Sequence, residues 1–426
     1  MIIKSLSNEP IQNLHVFVHS MPHNQESHTK YHVIRQDEWF LDIKKISKQF
    51  VGLKQVCIDI DYLSKEHQFP VALMVFKAMY KLQSYKTKTT TTNLYILNQH
   101  EIVSILKSLQ IGSDLATQPA NKMYPDKFCK TVVKIFKTIH LVNGVSVNIK
   151  WFDEHDIKQH QLNLVDAVGK GAQKQPRFLI IELNNKYCKD DYIALVGKGV
   201  VFDSGGYNLK PGSSMITMKG DKTGAGIVVS IIHYFAKQSN PKNIIGIIPL
   251  VENMISHKAT KVGDVITAYN GKTVEILNTD AEGRLILADS LAYVSKNYSS
   301  KFILDFATLT GWANILHCDT SFVFFTTNDK LGKIIETCGN QIGERNLRLP
   351  NWPEYIQYTK SDIADYKNVN FECGRSDGFM ASMFLMNFVK DPSKWVHFDV
   401  THSTTAQNMH IVNSAATAIK LISEQL

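Results

Sequence analysis

Short, nearly continuous apolar runs alternate with helical periodicity along most of the chain after residue 110. The runs have the length of strands and lie at 178–183, 192–199, 243–251, 301–309 and 395–401. A strand covered on both faces loses the alternation of apolar and polar positions, because neither face meets water. Helical periodicity lies between the runs, at Ile227–Phe235 and Leu285–Val294. The pattern predicts an α/β domain whose helices cover both faces of a largely parallel sheet.

The segment before residue 110 predicts a smaller α/β unit. Apolar runs at 15–19 and 56–60 have the composition of strands. Pro70 precedes a long apolar stretch, which predicts a helix with proline in its first turn.

A boundary between the two units is indicated by the stretch Ile111–Pro125, which is rich in Gly, Ser, Asp, Asn and Pro. We predict a small N-terminal α/β domain over residues 1–106. A larger three-layer α/β/α domain with a mostly parallel sheet is predicted over residues 107–426.

Composition is that of an ordinary globular protein, with 44% apolar and 20% charged residues. The net charge is only +8 and no basic tail exists, so a soluble protein with a basic surface is favoured over a nucleic-acid binder. No apolar run approaches the ~18 residues that span a membrane, and the N-terminus lacks the features of a secretory leader. The six cysteines form no CxxC pair, which predicts buried thiols in a reducing compartment.

Three segments hold the candidate chemistry, at 197–210, 218–224 and 278–284. The first begins where a buried strand ends, and ligands bind at this edge of open α/β sheets. Its glycines allow the backbone to approach a ligand closely. A phosphate-binding loop is the competing interpretation, but neither GxxxxGK[ST] nor the third glycine of GxGxxG is present.

Four carboxylates in these segments suggest a metal site. Asp280 and Glu282 are two residues apart, so on an extended chain their side chains would face the same side. Crowded carboxylates repel each other unless they are protonated or bound to cations. With Asp203 and Asp221 the set could hold two divalent ions. Spacing alone leaves separate surface acids or helix caps as an equal alternative.

Two local signals flank Asp280 and Glu282. Before them, Asn270-Gly271 between two apolar runs predicts a hairpin with a type I′ turn, whose second strand leads straight to the carboxylates. After them a helical pattern begins, which places Arg284 near the positive N-terminus of a helix. That position suits an anion.

The octapeptide NTDAEGRL at 278–285 resembles the signature of the leucyl aminopeptidase family, the M17 cytosolic aminopeptidases. The resemblance covers about residues 107–426 and continues in family order through seven more motifs. These are LATQPANKMYP (115–125), GKGVVFDSGGYNLKP (197–211), MKGDKTGAG (218–226), ATLTG (307–311), GERNLRLP (343–350), SDIADYKN (361–368) and WVHFDVT (395–401). Several long motifs in the correct order identify the chain as a member of this family.

The resemblance implies two divalent metal ions per subunit, Zn²⁺ or Mn²⁺ first, with Co²⁺ or Mg²⁺ as alternatives. The tightly held ion would be bound by Lys198, Asp203, Asp221 and Glu282. The more exchangeable ion would be bound by Asp203, Asp280 and Glu282. A lysine binds a metal only as a neutral amine, so neighbouring cations have to lower its pKa.

The resemblance also implies roles for residues around the metals. Lys210 matches the catalytic lysine that polarises the scissile carbonyl, and Arg284 matches the residue that holds a bicarbonate ion as the general base. A metal-bridging hydroxide would attack the peptide carbonyl. The pocket for the first side chain of the substrate, expected to prefer leucine-like residues, would be lined by Met218, Asn278, Thr308, Leu309 and Gly311.

The family assembles as hexamers, dimers of trimers, whose active sites face an interior cavity. The resemblance therefore implies a cytoplasmic homohexamer that hydrolyses short peptides. A DNA-binding or regulatory relative is the rival interpretation, and the net charge of +8 is its only support here. The third interpretation is a catalytically silent homologue. The complete set of matching ligands argues against it.

The chain departs from the family pattern at four positions. Lys222 and Thr223 replace a methionine and a small residue after Asp221, and Thr401 and His402 replace small residues after the last core strand. A buried unpaired ammonium is costly, so we expect Lys222 to reach the surface or a subunit boundary. The alternative is that its charge reaches the cavity, weakens metal binding and favours acidic peptides.

Overall fold

The computed structural model describes residues 2–6, 16–17, 55–58, 60, 65–80, 93–97, 99–317, 321–371, 377–401 and 412–426. The strands are β1 (Ile2–Leu6), β2 (Val16–Phe17), β3 (Gln55–Ile58), β4 (Asn93–Leu97), β5 (Val145–Phe152), β6 (Arg177–Asn185), β7 (Tyr192–Gly197), β8 (Gly199–Asp203), β9 (Ile244–Asn253), β10 (Val265–Thr267), β11 (Thr273–Glu275), β12 (Ser300–Ala307), β13 (Ser321–Phe325), β14 (Arg345–Arg348), β15 (Tyr366–Lys367) and β16 (Trp395–Asp399).

The α-helices are α1 (Lys65–Met79), α2 (His100–Thr117), α3 (Pro125–Lys137), α4 (Glu154–Gln159), α5 (Asn163–Gly169), α6 (Thr223–Phe235), α7 (Gly283–Asn297), α8 (Gly311–His317), α9 (Asp329–Gln341), α10 (Asp377–Met386) and α11 (Ala415–Glu424). Shorter 3₁₀ helices lie at Gly212–Met215, Met218–Gly220, Pro353–Thr359 and Pro392–Lys394. No helix in the described part of the chain is long and apolar enough to cross a bilayer.

The large sheet has the strand order β14-β13-β16-β12-β7-β9-β6-β5, and β8 also pairs with β9. Its centre, from β16 through β12 and β7 to β9, is parallel throughout. The antiparallel pairings lie toward the edges, where β13 meets β16 and where β6 pairs with both β5 and β9. The prediction of a largely parallel sheet is confirmed.

Helices cover both faces of this sheet, as predicted. Alternate residues of β6 point to opposite sides, because Leu179 and Ile181 join one apolar core while Phe178 and Ile180 join the other. Helices α2, α3, α6 and α11 contribute to the first core, and helices α4, α5, α7 and α10 to the second. The result is the predicted three-layer α/β/α domain.

The N-terminal segment forms a separate four-stranded sheet in the order β1-β4-β3-β2. Strand β2 lies within the predicted run at 15–19, and β3 overlaps the predicted run at 56–60. Residues 15, 18, 19 and 59 of these runs lie outside the described residues. Helix α2 continues across residue 106 to Thr117, and the Tyr80 hydroxyl donates a 2.9 Å hydrogen bond to Asp114 Oδ1 on this helix. The division at residue 106 stays a prediction, and it falls inside a helix.

Two local expectations about elements differ from the structure. Helix α1 begins five residues before Pro70, so this proline lies inside the helix and not in its first turn. Pro70 cannot donate a hydrogen bond to the preceding turn, and the packing of Pro70 and its buried apolar neighbours offsets that loss. The predicted strand over 192–199 is interrupted at Lys198, where the chain passes from β7 to β8.

The predicted hairpin exists as β10 and β11, but its turn is not of type I′. Gly271 has a φ of +84°, whereas Asn270 does not have a positive φ, which the first central position of a type I′ turn requires. The Gly271 amide donates to the Ala268 carbonyl and the Ala268 amide donates to the Lys272 carbonyl. Gly271 alone supplies the left-handed residue that closes the hairpin.

The first turn of α6 lies against the backbone at the carboxyl ends of β7 and β12. The Ala225 amide donates a 2.9 Å hydrogen bond to the Lys198 carbonyl, and the Lys198 amide donates one of 2.9 Å to the Phe306 carbonyl. A Cβ at Gly224 would lie 2.1 Å from the Phe306 carbonyl oxygen and 2.8 Å from the Lys198 nitrogen. Only glycine permits this approach, which brings the residues before α6 to the end of the sheet.

Gly224→Ala should therefore destabilise the protein. We expect a loss of about 1–3 kcal/mol in the free energy of unfolding, the usual cost of overpacking, measured by urea denaturation. Gly311→Ala is the control, since its Cβ would meet no atom within 4 Å. Equal stability of the Gly224 variant and the wild type would show that the helix and sheet are not in the close contact described.

Candidate metal centre

The candidate ligands converge at the carboxyl ends of the central parallel strands. Lys198 lies between β7 and β8, and Asp203 is the last residue of β8. Asp221 ends the 3₁₀ helix before α6, while Asp280 and Glu282 lie in the segment that leads into α7. Segments that are far apart in sequence therefore meet at the sheet edge where α/β proteins bind ligands.

Three carboxylates form a buried cluster at this edge. One oxygen of each of Asp203, Asp221 and Glu282 lies within 4.8 Å of the others, a geometry that can hold a metal ion. The Lys198 ammonium is part of the cluster, with Nζ 2.8 Å from Asp221 Oδ2 and 2.9 Å from Glu282 Oε1. It also donates a 2.9 Å hydrogen bond to the Thr308 carbonyl. All four predicted ligands of the tight metal are thus in one cluster.

A second lysine joins the remaining ligand to this cluster. Lys210 Nζ lies 2.7 Å from Asp203 Oδ2 and 2.6 Å from Asp280 Oδ1. The Asp280 side chain is 29% exposed, whereas that of Asp203 is 2% exposed. Asp203 therefore lies between the buried carboxylates and the more open position of Asp280.

Burial and mutual repulsion shift the pKa values of these groups. Burial, followed by repulsion from Glu282, raises the pKa of Asp203 and of Asp280, and burial raises the pKa of Asp221 to about 7. Burial alone would lower the pKa of Lys198, but the carboxylates of Asp221 and Glu282 outweigh it and raise the pKa. Burial would raise the pKa of Glu282, yet Lys198 and Lys210 lower it. The two lysines therefore do not fully offset burial and mutual repulsion at the three aspartates, whose pKa values stay raised.

Two neighbouring side chains fix the orientation of the carboxylates. Asn253 Nδ2, at the end of β9, donates a 2.8 Å hydrogen bond to Asp203 Oδ1, and the Gly205 amide donates to the same oxygen. The Thr308 hydroxyl donates a 2.8 Å hydrogen bond to Asp221 Oδ1. Sequence analysis missed Asn253, although a polar residue at the end of an otherwise apolar strand was an available signal.

Asp280 and Glu282 reach the site by a different route from the one expected. Strand β11 ends at Glu275, and Thr279 and Asp280 form a turn, so the chain is not extended here. Glu282 has the helical angles φ −79° and ψ −33° directly before α7. The two side chains contact different lysines, because a turn and not strand alternation directs them.

Comparison with known proteins agrees with this arrangement. Residues 110–422 match the model of the cytosol aminopeptidase family, catalytic domain. This chain belongs to the cytosol aminopeptidase family. The family resemblance predicted from the sequence is therefore confirmed, and the buried carboxylate cluster lies in the part of the chain that the match covers.

Individual relatives extend the likeness to nearly the whole chain. The cytosol aminopeptidase of Rickettsia prowazekii is 32% identical over 84% of this chain and 73% of its own length. A crystal structure of the Coxiella burnetii cytosol aminopeptidase has a TM-score of 0.81 at 26% identity, over 93% of this chain and 86% of that one. The bottromycin maturation enzyme BotP in complex with Mn has a TM-score of 0.78 at 25% identity, over 89% of this chain and 86% of that one.

Arg284 is the second residue of α7 in this aminopeptidase, which confirms its predicted place at a helix N-terminus. It is 2% exposed. Its Nη1 donates a 2.8 Å hydrogen bond to the Asn368 carbonyl, and its Nη2 lies 2.6 Å from Asp377 Oδ1. Sequence analysis missed both partners, and no motif pointed to Asp377.

The predicted pocket residues surround the same sheet end, although none is tested as a substrate contact. Asn278 Oδ1 accepts a 2.8 Å hydrogen bond from the Asp280 amide, and the Leu309 amide donates to Asp399 Oδ1 at 3.2 Å. Met218 begins the 3₁₀ helix that leads to Asp221, and Gly311 begins α8. Their role in the pocket for the first side chain, together with Thr308, stays a prediction.

Lys222 does not behave as expected in this family member. It is 0% exposed, and its Nζ donates hydrogen bonds to the carbonyls of Lys219 and Gln118, the latter at 2.8 Å. The expectation that it reaches the surface is wrong. Burial lowers the pKa of Lys222 to about 7, so part of its charge is lost near neutral pH. The two backbone carbonyls accept the hydrogen bonds that water would accept at the surface.

The other departures have local structural roles where the structure describes them. The Thr223 hydroxyl donates a 2.7 Å hydrogen bond to the Gly220 carbonyl at the start of α6. The Thr401 hydroxyl donates a 2.6 Å hydrogen bond to Asp399 Oδ1. The Thr310 amide donates to Asp399 Oδ2 and to the Thr401 hydroxyl, which ties the end of β16 to the residues before α8. His402 lies outside the described residues.

Lys222→Met should leave catalysis nearly unchanged, because both hydrogen bonds of the ammonium go to backbone carbonyls. We expect kcat/KM to change by less than about threefold, as for sites that do not touch the reacting groups, on both neutral and acidic peptides. A tenfold loss confined to acidic peptides would show that the charge of Lys222 is felt in the substrate cavity. Urea denaturation of the same variant checks that it is folded.

Proposed function

We propose that this chain is a dinuclear metal-dependent aminopeptidase that removes N-terminal residues, with a leucine-like preference, from short peptides. The observation that carries the proposal is the buried cluster of Asp203, Asp221 and Glu282, with oxygens within 4.8 Å of one another. Membership of the cytosol aminopeptidase family supports the peptidase activity. The Mn complex of BotP supports a divalent metal.

The residues present fit two divalent ions. Four carboxylates face only two ammonium groups, so the metal-free site has surplus negative charge whenever its acids are ionised. Lys198, Asp203, Asp221 and Glu282 would hold one ion, and Asp203, Asp280 and Glu282 the other. Carboxylate and amine ligands accept Zn²⁺, Mn²⁺, Co²⁺ or Mg²⁺, with Zn²⁺ and Mn²⁺ preferred in our proposal.

The bound ions would supply Lewis acidity and activate a water molecule as a bridging hydroxide. The chain itself contributes charge and orientation. Asn253 and Thr308 keep the carboxylates of Asp203 and Asp221 aimed into the site. Lys210 carries its ammonium on the side of Asp280, where it can donate to the peptide carbonyl as negative charge develops on that oxygen.

Arg284 is the proposed anion site of the reaction. Its guanidinium is buried at the N-terminus of α7, where positive charge and helix dipole add. Bicarbonate is the external anion that the family resemblance implies there. An anion at this position would accept a proton from water and return one to the leaving amine.

The cellular setting is proposed from the relatives and the family. Relatives such as the one from Rickettsia prowazekii are named cytosol aminopeptidases, and we propose a cytoplasmic location for this chain. A homohexamer built as a dimer of trimers, with active sites facing an interior cavity, is proposed on the family resemblance. Such a cavity would restrict substrates to short peptides.

Glu282→Ala tests the metal assignment. We expect activity to be abolished and the metal content of each subunit to fall, because Glu282 is the proposed ligand of both ions. Metal content is measured after dialysis against Mn²⁺, and activity is measured with an aminoacyl fluorogenic substrate.

Glu344→Ala is the matched control for this experiment. Glu344 is equally buried but lies outside the site, where it accepts hydrogen bonds from Thr417 and pairs with Lys77 at 3.1 Å. It should lose stability and keep its metals. Near-native turnover of the Glu282 variant with two ions per subunit would exclude the proposed site.

Lys210→Ala should separate catalysis from metal binding. We expect both ions to be retained and turnover to fall by roughly 10²–10³, the usual effect of losing one donor to a developing oxyanion. Lys77→Ala, which removes a lysine paired with a carboxylate elsewhere, should leave turnover unchanged. A loss of metal from the Lys210 variant equal to that from the Glu282 variant would mean that Lys210 supports ligation instead.

A further inference from the structure

Four aromatic side chains form a partly exposed cluster beside the second apolar core. We call this cluster the aromatic platform, and its members are Trp312, Trp352, Tyr355 and Phe379. The rings of Trp352, Tyr355 and Phe379 are nearly parallel, with interplanar angles of 4–17° and centroids 5.2–6.0 Å apart. Trp312 meets Phe379 edge-on, with centroids 5.2 Å apart. Offset and edge-on contacts at these distances are favourable, so the rings hold one another in place.

The platform rests on the core but is not covered by it. Trp312, Tyr355 and Phe379 are partly buried and pack against the second core. Trp352 is 51% exposed, although its indole has one of the largest apolar surfaces of any side chain. Single exposed apolar residues need no explanation, whereas an exposed ring that joins a cluster of rings is the kind of patch that binds a ligand or a partner.

One side of the platform lies close to the metal centre. Trp312 is the second residue of α8, and it follows Thr308 by four residues. The Thr308 carbonyl accepts the 2.9 Å hydrogen bond from Lys198 Nζ, a proposed metal ligand. Four residues of chain span at most about 14 Å, so the Trp312 backbone lies within the reach of a short peptide bound at the metals.

The other side of the platform lies close to Arg284. A Cβ at Gly378 would lie 2.4 Å from Trp312 Cε3, so the indole of Trp312 lies directly against the backbone of α10. Phe379 is the next residue in the first turn of this helix. Asp377 begins the same turn, and its Oδ1 is 2.6 Å from Arg284 Nη2.

These two connections indicate which part of a bound peptide faces the platform. Gly311, a predicted residue of the pocket for the first side chain, comes directly before Trp312. In the proposed function the anion at Arg284 returns a proton to the leaving amine, which belongs to the second residue of the substrate. The platform therefore begins beside the first pocket and lies on the side of the leaving peptide.

We propose that the aromatic platform is a subsite for an aromatic side chain in the part of the peptide that follows the scissile bond. The inference rests on the proposed function, because the metals and Arg284 define the side of the leaving peptide. Rings that are already fixed by their neighbours bind a flat side chain with little further loss of conformational freedom. Such a contact is the same before and during the reaction, so it selects substrates without accelerating the chemical step.

Three tripeptides that share their first residue test the proposal: Leu-Ala-Ala, Leu-Phe-Ala and Leu-Ala-Phe. Release of leucine is measured with the Mn²⁺-loaded wild type. We expect kcat/KM for at least one phenylalanine peptide to exceed that for Leu-Ala-Ala by about tenfold, the scale of one aromatic contact with its burial. The preferred position of phenylalanine identifies the residue that reaches the platform. Values of kcat/KM that agree within about twofold for all three peptides would overturn the proposal.

Trp352→Ala should remove the preference for phenylalanine, because it deletes the most exposed ring. We expect the ratio of kcat/KM values to fall below about twofold through a higher KM, while kcat and the reaction of Leu-Ala-Ala stay unchanged. Trp352→Phe keeps a ring and should keep most of the preference. A parallel fall in kcat for all three peptides would show that Trp352 only supports the structure, which would also overturn the proposal.

Tyr187→Ala is the matched control, because it removes another exposed ring far from the metal centre. Tyr187 is 65% exposed and follows β6, whose end pairs with Ile244 at the start of β9. The metal centre lies at the other end of β9, where Asn253 contacts Asp203. The control should keep the wild-type preference among the three peptides.

Sedimentation of the same proteins tests whether a second copy of the chain covers the platform instead. We expect Trp352→Ala to keep the oligomeric state of the wild type. A changed oligomeric state with an unchanged preference among the peptides would make the platform a subunit interface and overturn the proposal.

A wild type that hydrolyses none of the three peptides would exclude the proposed function. Calorimetric titration with the same peptides then decides the subsite separately. Tighter binding of a phenylalanine peptide to the wild type than to Trp352→Ala would support the subsite, and equal or undetectable binding to both proteins would overturn it.

Discussion

The repulsion among carboxylates gathered at one end of the sheet is the constraint on which this structure depends. Asp203, Asp221 and Glu282 are nearly free of solvent and lie close enough for each to raise the cost of ionising the others. Lys198 and Lys210 offset part of that cost through contacts of 2.6–2.9 Å. Two lysines cannot neutralise four acids, and divalent cations are the natural complement.

The fold makes this costly cluster possible by surrounding it with rigid elements. The parallel strands β7 and β12 end side by side, and both faces of the sheet are packed with apolar side chains. Gly224 lets α6 approach the sheet closely enough to bring Asp221 to Lys198. Burial that stabilises the three layers therefore offsets the electrostatic strain at their edge.

Sequence patterns predicted the three layers because each pattern extends over many residues. The apolar runs at 178–183 and 243–251 lack the alternation of apolar and polar residues that exposed strands show. In the structure these runs form β6 and β9, which lie inside the sheet. The motifs predicted which acids and lysines meet, since Lys198, Asp203, Asp221, Asp280 and Glu282 do converge. Local propensity failed where tertiary contacts decide the backbone, as at Pro70 inside α1 and at Asn270 in the hairpin turn.

Other features depended on contacts that no local pattern encodes. Lys222 is buried on the carbonyls of Gln118 and Lys219, and Gln118 is more than a hundred residues away in sequence. Asn253 and Asp377 meet their partners Asp203 and Arg284 across 50 and 93 residues of sequence. A long polar side chain has many possible acceptors, and only the folded chain selects one.

The number and position of bound ions test the central claim most directly. Anomalous scattering from crystals of the Mn²⁺-loaded protein should show two peaks in the site, about 3.5–4 Å apart as in other two-metal centres. Asp203 and Glu282 should each lie within bonding distance of both peaks, with Lys198 and Asp221 beside one and Asp280 beside the other. A single peak, or two peaks that do not share Asp203 and Glu282, would contradict the account.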